Sequence, residues 1–168
     1  MTSPSATVVY LSLGSNIDPA RNLAQAVTLL AARCDVLAVS SVYRTPPQGD
    51  TEQADFLNQA VKLATTLEPY PFKTAVLDAI ERELKRVRDP HNQNAPRTID
   101  LDIALWGDAV LTYGPKPWRV PDPDIARFAH VAVPLAELAP DYVHPERGVT
   151  LAALAATLDT TGIERLGG

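Results

Sequence analysis

Along the 168-residue chain the spacing of hydrophobic positions changes several times, and each change marks an element. Val9, Leu11 and Leu13 alternate with polar or small neighbours, which predicts a strand over Val8 to Leu13. Gly14 to Asn16 reads as a turn. Asp18 offers a helix cap with Pro19 at the first helical position. Leu23, Ala26, Val27 and Leu30 then recur at helical spacing, so a helix should run to about Arg33. Val36 to Tyr43 predicts a second strand and Phe56 to Leu63 a third. The stretch between them, Thr45 to Ala54, carries paired prolines that no central strand accepts. From Glu68 a second helix opens, with Phe72, Val76, Ala79, Ile80, Leu84 and Val87 as its apolar stripe, ending near Val87. Asp89 to Pro96 is a polar loop. Ile99, Leu101 and Ile103 next alternate with Thr98, Asp100 and Asp102, a strand with one oily and one acidic face. Gly107-Asp108 reads as a hairpin turn into Ala109 to Tyr113. Gly114 to Asp124, with four prolines, should run extended. Two short helices close the pattern, Ala129 to Leu138 and Leu151 to Leu158, the latter capped by Thr150.

The resulting order, β-α-β-β-α-β followed by helical additions, is the split βαβ arrangement of ferredoxin-like folds. The expected class is therefore α+β: an antiparallel ferredoxin-like βαββαβ sheet with helices on one face and C-terminal helical additions. Residues 1–168 are read as a single domain. On such a sheet Ile99, Leu101 and Ile103 face the helices. Asp100 and Asp102 point to the opposite face, which is free to carry a site.

Composition narrows the function. Hydrophobic residues make up 46% and charged residues 21%, the balance of a water-soluble globular protein. A net charge of −5 argues against a nucleic-acid partner, which needs a basic surface. The N-terminal apolar run lacks a basic leader and is too short to cross a membrane. One cysteine, Cys34, permits no internal disulfide. The expectation is a cytoplasmic protein with no membrane partner.

Aspartates are depleted in strands, so two of them on one strand face need a reason. Same-face neighbours stand about 7 Å apart along a strand, and two such carboxylates can converge on hard cations such as Mg²⁺. A solvated strand face with Arg97 as an ion-pair partner is the plainer alternative. Arg86 and Arg88 lie just upstream and Arg97 at the strand's entrance. Three guanidiniums beside two carboxylates resemble a phosphate site. The plainer reading is that Arg86 and Arg88 solvate a helix end. No P-loop and no G-x-G-x-x-G stretch is present. His91, His130 and His144 are too scattered to form a metal set, and His91 and His144 read as surface residues. Trp106 and Trp118 read as core and cover residues.

Taken in order, "YLSLGSN" (Tyr10 to Asn16), "SSVYRTPPQG" (Ser40 to Gly49), "DFLNQAV" (Asp55 to Val61), "IERELKRVR" (Ile80 to Arg88), "PRTIDLDIALWG" (Pro96 to Gly107) and "VPDPDIARFAHVAVPLAELAP" (Val120 to Pro140) resemble the 6-hydroxymethyl-7,8-dihydropterin pyrophosphokinase family. That resemblance implies transfer of the β,γ-diphosphate of ATP to the hydroxymethyl oxygen of the pterin in folate biosynthesis. It implies two Mg²⁺ ions held by Asp100 and Asp102, with Arg86, Arg88 and Arg97 on phosphate oxygens. It implies Thr45, Pro46, Phe56 and Asn58 at the pterin, and Glu81, Arg88, Arg97, Ile103 and Arg127 at the nucleotide. The partners expected are the two small substrates, with the protein a monomer. A non-catalytic pterin- and nucleotide-binding module and a metal-dependent phosphohydrolase are the rival readings.

Three positions depart from the family's usual pattern. Asn94-Ala95 stands where an aromatic-glycine pair is usual, in a loop expected to act as a lid. Asp122 stands where a nucleotide-contacting histidine is usual. Phe128 and His130 fall where a basic residue and a pterin-stacking aromatic are usual. Arg127 is then a source of the charge, and His130 or Phe128 of the stacking ring.

Overall fold

A computed structural model describes residues 5–46, 54–84 and 99–167. The expected lid, Asp89 to Pro96, lies outside these residues, as do Arg86, Arg88, Arg97 and His91. Strand β1 (Thr7–Ser15) leads into helix α1 (Pro19–Arg33). Strands β2 (Asp35–Val39), β3 (Val42–Thr45) and β4 (Phe56–Thr65) follow. A helical segment then comprises α2 (Pro69–Phe72), a π-helical turn (Lys73–Leu77) and α3 (Asp78–Glu83). Strand β5 (Asp100–Trp106) and a ribbon of β6 (Leu111–Tyr113) and β7 (Trp118–Val120) come next. A 3-10 helix (Pro123–Ala126), helices α4 (Ala129–Leu138) and α5 (Leu151–Ala156), and strand β8 (Glu164–Gly167) complete the described chain.

Among the described residues the main sheet has six strands in the order β5-β1-β4-β3-β8, with β2 also on β4, and every pairing is antiparallel. β2 and β3 share the second-strand position of the βαββαβ order. One face packs Val9, Leu11 and Leu13 against Leu23, Ala26 and Leu30 of α1 and against Phe72, Leu77 and Ile80, all buried. Each of the larger side chains among these contributes about 1.5–3 kcal/mol by leaving water. The C-terminal additions cover much of the other face. Tyr10, Ala60 and Leu105 meet Val131 and Leu135 of α4 and Leu151 and Leu154 of α5. The site lies where that second layer stops.

The structure corrects several local expectations. Gly14 and Ser15 belong to β1 rather than to a turn, with Gly14 paired to both Asn58 and Asp100. Asp18 makes no side-chain cap, because its backbone is left-handed at φ 42°. The Asn22 amide instead donates to the Ile17 carbonyl. The strand expected over Val36 to Tyr43 divides at Ser40-Ser41. There the Ser40 hydroxyl accepts from the Ala60 N–H, and the Ser41 N–H donates to Glu137 of α4. The Gly107 turn does not fold the next strand back on β5; β6 pairs with β7 instead. The prolines of Gly114 to Asp124 therefore punctuate a ribbon and a 3-10 helix, not one extended run. Thr150 caps α5 as expected, its hydroxyl accepting from the Ala153 N–H. His144 is buried, not superficial: its Nδ1 accepts from the N–H groups of Glu146 and Arg147 and closes that loop.

The second helix departs most. Phe72, Val76, Ile80 and Leu84 repeat at a strict interval of four, and all are buried. On a 3.6-residue helix such a row drifts by about 40° per step. The wide π turn takes up the drift and holds the row on the core. Val87, expected to end the stripe, lies outside the described residues.

Candidate active site

Strand register assembles the site. Asp100 of β5 lies opposite Gly14 of β1, which lies opposite Asn58 of β4, which lies opposite Tyr43 of β3. One step along, Asp102 lies opposite Ser12, and at the other end Phe56 lies opposite Thr45. Directly paired residues share a face, so the two aspartates, Asn58, Phe56 and Thr45 all rise from one side of the sheet. Strands stand about 4.8 Å apart, which sets Asp100 and Asn58 about 10 Å apart across β1. An extra residue in β5, Ala104, shifts the pairing between Tyr10 and Leu11. It puts Leu105 on the α4 side, where the acidic face ends and the apolar layer begins.

A cavity of about 270 Å³ stands on this face. Thr45, Pro46, Phe56 and Asn58 form one side, Asp100 and Asp102 the floor, and Phe128 and His130 the wall from the start of α4. Thr45 and Asn58 are buried, and the Asn58 amide N–H donates to the Thr45 hydroxyl at 2.6 Å. The amide keeps its oxygen and a second N–H for a ligand edge that both donates and accepts. Phe128 and His130 stack on each other at 5.3 Å between centroids. Burial pushes the His130 imidazole below its usual pKa against a weaker opposing effect of Asp124, so the ring is neutral near pH 7.

Asp100 and Asp102 also line a second cavity of about 590 Å³, on the side of α2 and α3, together with Lys73, Glu81 and Trp118. The two carboxylates therefore stand on the partition between two spaces. Glu81 is buried, and its carboxylate accepts from the Leu101 N–H at 3.0 Å, fixing α3 to the acidic strand. Ile103 is largely buried in the core but borders a third space of about 300 Å³ with Lys73, Tyr113 and Arg119. Arg127 stands at the rim, ion-paired with Asp124 and beside the Phe128 ring, and it lines neither main cavity.

Charge accumulates on the partition. Although Asp102 is open to the cleft, desolvation by the protein around it raises its carboxyl well above its ordinary value, with Asp100, Asp122 and Glu81 adding to the rise and Lys73 opposing it. Asp122, between the first and third spaces, is pushed up to about 6, chiefly by burial; Asp124 and Asp100 add, while the Asp124 N–H and Arg127 oppose. Such a cluster fits a hard cation. Among the described residues no three His, Cys, Asp or Glu groups converge closely enough to enclose one. Two protein carboxylates with water and a phosphate completing the shell is a usual Mg²⁺ arrangement.

A family model described as 7,8-dihydro-6-hydroxymethylpterin-pyrophosphokinase (HPPK) matches residues 10–140. The chain belongs to the HPPK family. Curated relatives named 2-amino-4-hydroxy-6-hydroxymethyldihydropteridine pyrophosphokinase include one from Methylorubrum extorquens, 44% identical over 163 residues, covering 95% of this chain and 99% of that protein. Another, from Pseudomonas aeruginosa, is 40% identical over 163 residues, covering 95% and 97%. Among solved structures the fold is similar to that of Plasmodium falciparum HPPK-DHPS with pteroate. The TM-score is 0.71 at 13% identity, covering 94% of this chain and 43% of that one. The HPPK fold here thus spans less than half the length of the Plasmodium chain.

Sequence reasoning missed Ser12, Gly14, Lys73 and Trp118 as lining residues and treated Asp122 only as a replaced histidine. The alternation of β1 carried the signal for Ser12 and Gly14, since they share the face of Tyr10. Nothing local in the sequence pointed to Lys73 or Trp118.

Proposed function

We propose that the protein transfers the β,γ-diphosphate of ATP to the hydroxymethyl oxygen of 6-hydroxymethyl-7,8-dihydropterin, releasing AMP, in folate biosynthesis. Family membership supports the reaction, and one structural observation supports this assignment of the site: Asp100 and Asp102 border two cavities at once. A reaction between two bound substrates needs its charge-bearing groups on the wall they share. The pterin occupies the 270 Å³ cavity and the nucleotide the 590 Å³ one. Residues 1–168 act as one domain in the cytoplasm.

Asn58 and Thr45 hold the pyrimidine-like edge of the pterin, and the 10 Å between Asn58 and Asp100 carries its hydroxymethyl arm to the partition. Phe56 and the neutral His130 bracket the ring, with Pro46 at its edge. Asp100 and Asp102 hold Mg²⁺, two ions by the family resemblance. A metal held by these two carboxylates would supply positive charge to the phosphate chain and help orient the hydroxyl. Glu81 and the guanidiniums of Arg86, Arg88 and Arg97 serve the nucleotide, the arginines also taking up charge on the transferred group; Ile103 and Arg127, expected at the nucleotide, do not line that cavity. The hydroxymethyl oxygen bonds to the β-phosphorus and gives up its proton to solvent, as the bond from that phosphorus to the α-phosphate oxygen breaks and AMP leaves with that oxygen.

Incubation with ATP, Mg²⁺ and the pterin tests this directly. AMP and pterin diphosphate should form together, and Asp100→Ala or Asp102→Ala should abolish both while the protein stays folded. ADP or phosphate released without pterin would mean a phosphohydrolase, and no turnover at all a binding module. Near-normal activity of either variant would overturn the metal assignment.

A further inference from the structure

We infer that Lys73 is a phosphate-contacting residue, its ammonium held by the π-helical turn against the nucleotide side of the Asp100–Asp102 partition. The inference rests on the nucleotide occupying the 590 Å³ cavity. In an α-helix, residues five apart point about 140° away from each other. In the π turn the Asp78 N–H bonds to the Lys73 carbonyl, so the two residues stand one above the other. Their side chains meet at 3.4 Å, and both line the cavity. The lysine side chain is 10% exposed and lies over the Trp118 ring, 4.9 Å from its centroid. Trp118 is itself stacked with Tyr70 and Tyr113. An otherwise mobile side chain is therefore fixed by its backbone turn, an ion pair and a ring face.

Structural ion pairing alone does not account for this placement. A lysine ammonium carries three donors, and the structure gives one of them to Asp78. Lys73 borders both spaces on this side of the partition. Asp78 and Glu81 line the larger one beside Asp100 and Asp102, a wall that without cations would repel a polyanion. Lys73 and Lys116 are the cations lining that cavity among the described residues, and Lys73 is the buried one. π turns recur at functional sites because they re-aim a side chain without ending the helix. Here the turn keeps Leu77 in the core while Lys73 faces the cavity.

The test is steady-state AMP formation by Lys73→Gln and Lys73→Arg, with calorimetry for the pterin and thermal melting for the fold. Lys73→Gln should raise the KM for ATP tenfold or more and leave the pterin dissociation constant within twofold. Lys73→Arg should bring the ATP KM back to within threefold of the parent. A folded Lys73→Gln protein with an ATP KM within twofold of the parent would overturn the inference. If that variant does not fold, the unmutated protein carrying 5-fluorotryptophan decides. ATP should move the fluorine resonance of Trp118 and not that of Trp106, and an unmoved Trp118 resonance at saturating ATP would overturn the inference equally. Absence of turnover in the parent would count against the proposed function instead, because the fluorine titration reads nucleotide binding without it.

Discussion

Replacing Gly14 with alanine should weaken pterin binding without loosening the fold. Gly14 stands between Asn58 and Asp100 in the row of paired residues and does not have a left-handed backbone. Alanine is therefore conformationally admissible. Its Cβ would lie 3.2 Å from the Asn58 Oδ1 and 3.8 Å from the Phe56 ring. The first contact is too close, so the amide must retreat by a few tenths of an ångström. It is held by its 2.6 Å bond to Thr45, and both residues are buried. The retreat misdirects the amide oxygen from the pterin or lengthens the Thr45 bond. Loss of one such bond is worth about 1–2 kcal/mol, or about 5- to 30-fold in affinity. Removing a glycine from a strand adds about 0.4–1 kcal/mol of stability through the unfolded chain, so the melting temperature should hold or rise. Calorimetry with the pterin in the presence of a non-hydrolysable ATP analogue, beside a melting curve, gives both quantities. A pterin dissociation constant within twofold of the parent would refute the reasoning. So would equal weakening of both ligands with a fall of several degrees in melting temperature.

Asn58→Ala should weaken pterin binding by about 1–3 kcal/mol and leave nucleotide binding nearly unchanged, as separate titrations would read; equal losses would make the residue structural. Asp122 has a carboxyl raised from 3.8 to about 6, so the folded chain binds its proton more tightly than the unfolded one. Its unfavourable contribution is absent below about pH 4, grows as the pH rises through 6, and then levels off. Asp122→Asn should accordingly stabilise the ligand-free, chelator-treated protein by about 1–3 kcal/mol at pH 7.5, and by much less at pH 4. Denaturant melts at the two pH values check this, and an equal gain at both would remove the electrostatic explanation.

Local chemistry was enough to read the βαββαβ core order, the oily and acidic faces of β5, and the cap of α5, but not β7 or the edge strand β8. Alternation and helical spacing are properties of adjacent residues, and the chain has to bury its apolar stripe whatever its neighbours are. Family resemblance then supplied roles for Thr45, Asn58, Asp100 and Asp102, four residues from three strands whose nearness no spacing along the chain encodes.

Tertiary structure decided the rest. Gly14 reads as a turn until register sets it between Asn58 and Asp100, because a strand pairs with whichever partner completes its hydrogen bonds. The break at Ser40-Ser41 depends on Glu137, 96 positions away from Ser41, reaching back to take its N–H. The π turn was written in the strict four-residue repeat, yet only packing against the sheet made unwinding the helix better than letting the stripe drift into solvent. Its consequence, a buried lysine facing the acidic partition, joins two surfaces that are 29 positions apart from Lys73 to Asp102. Sequence patterns determine what each segment must bury; only the assembled sheet determines which polar groups are left facing one another across the space that remains.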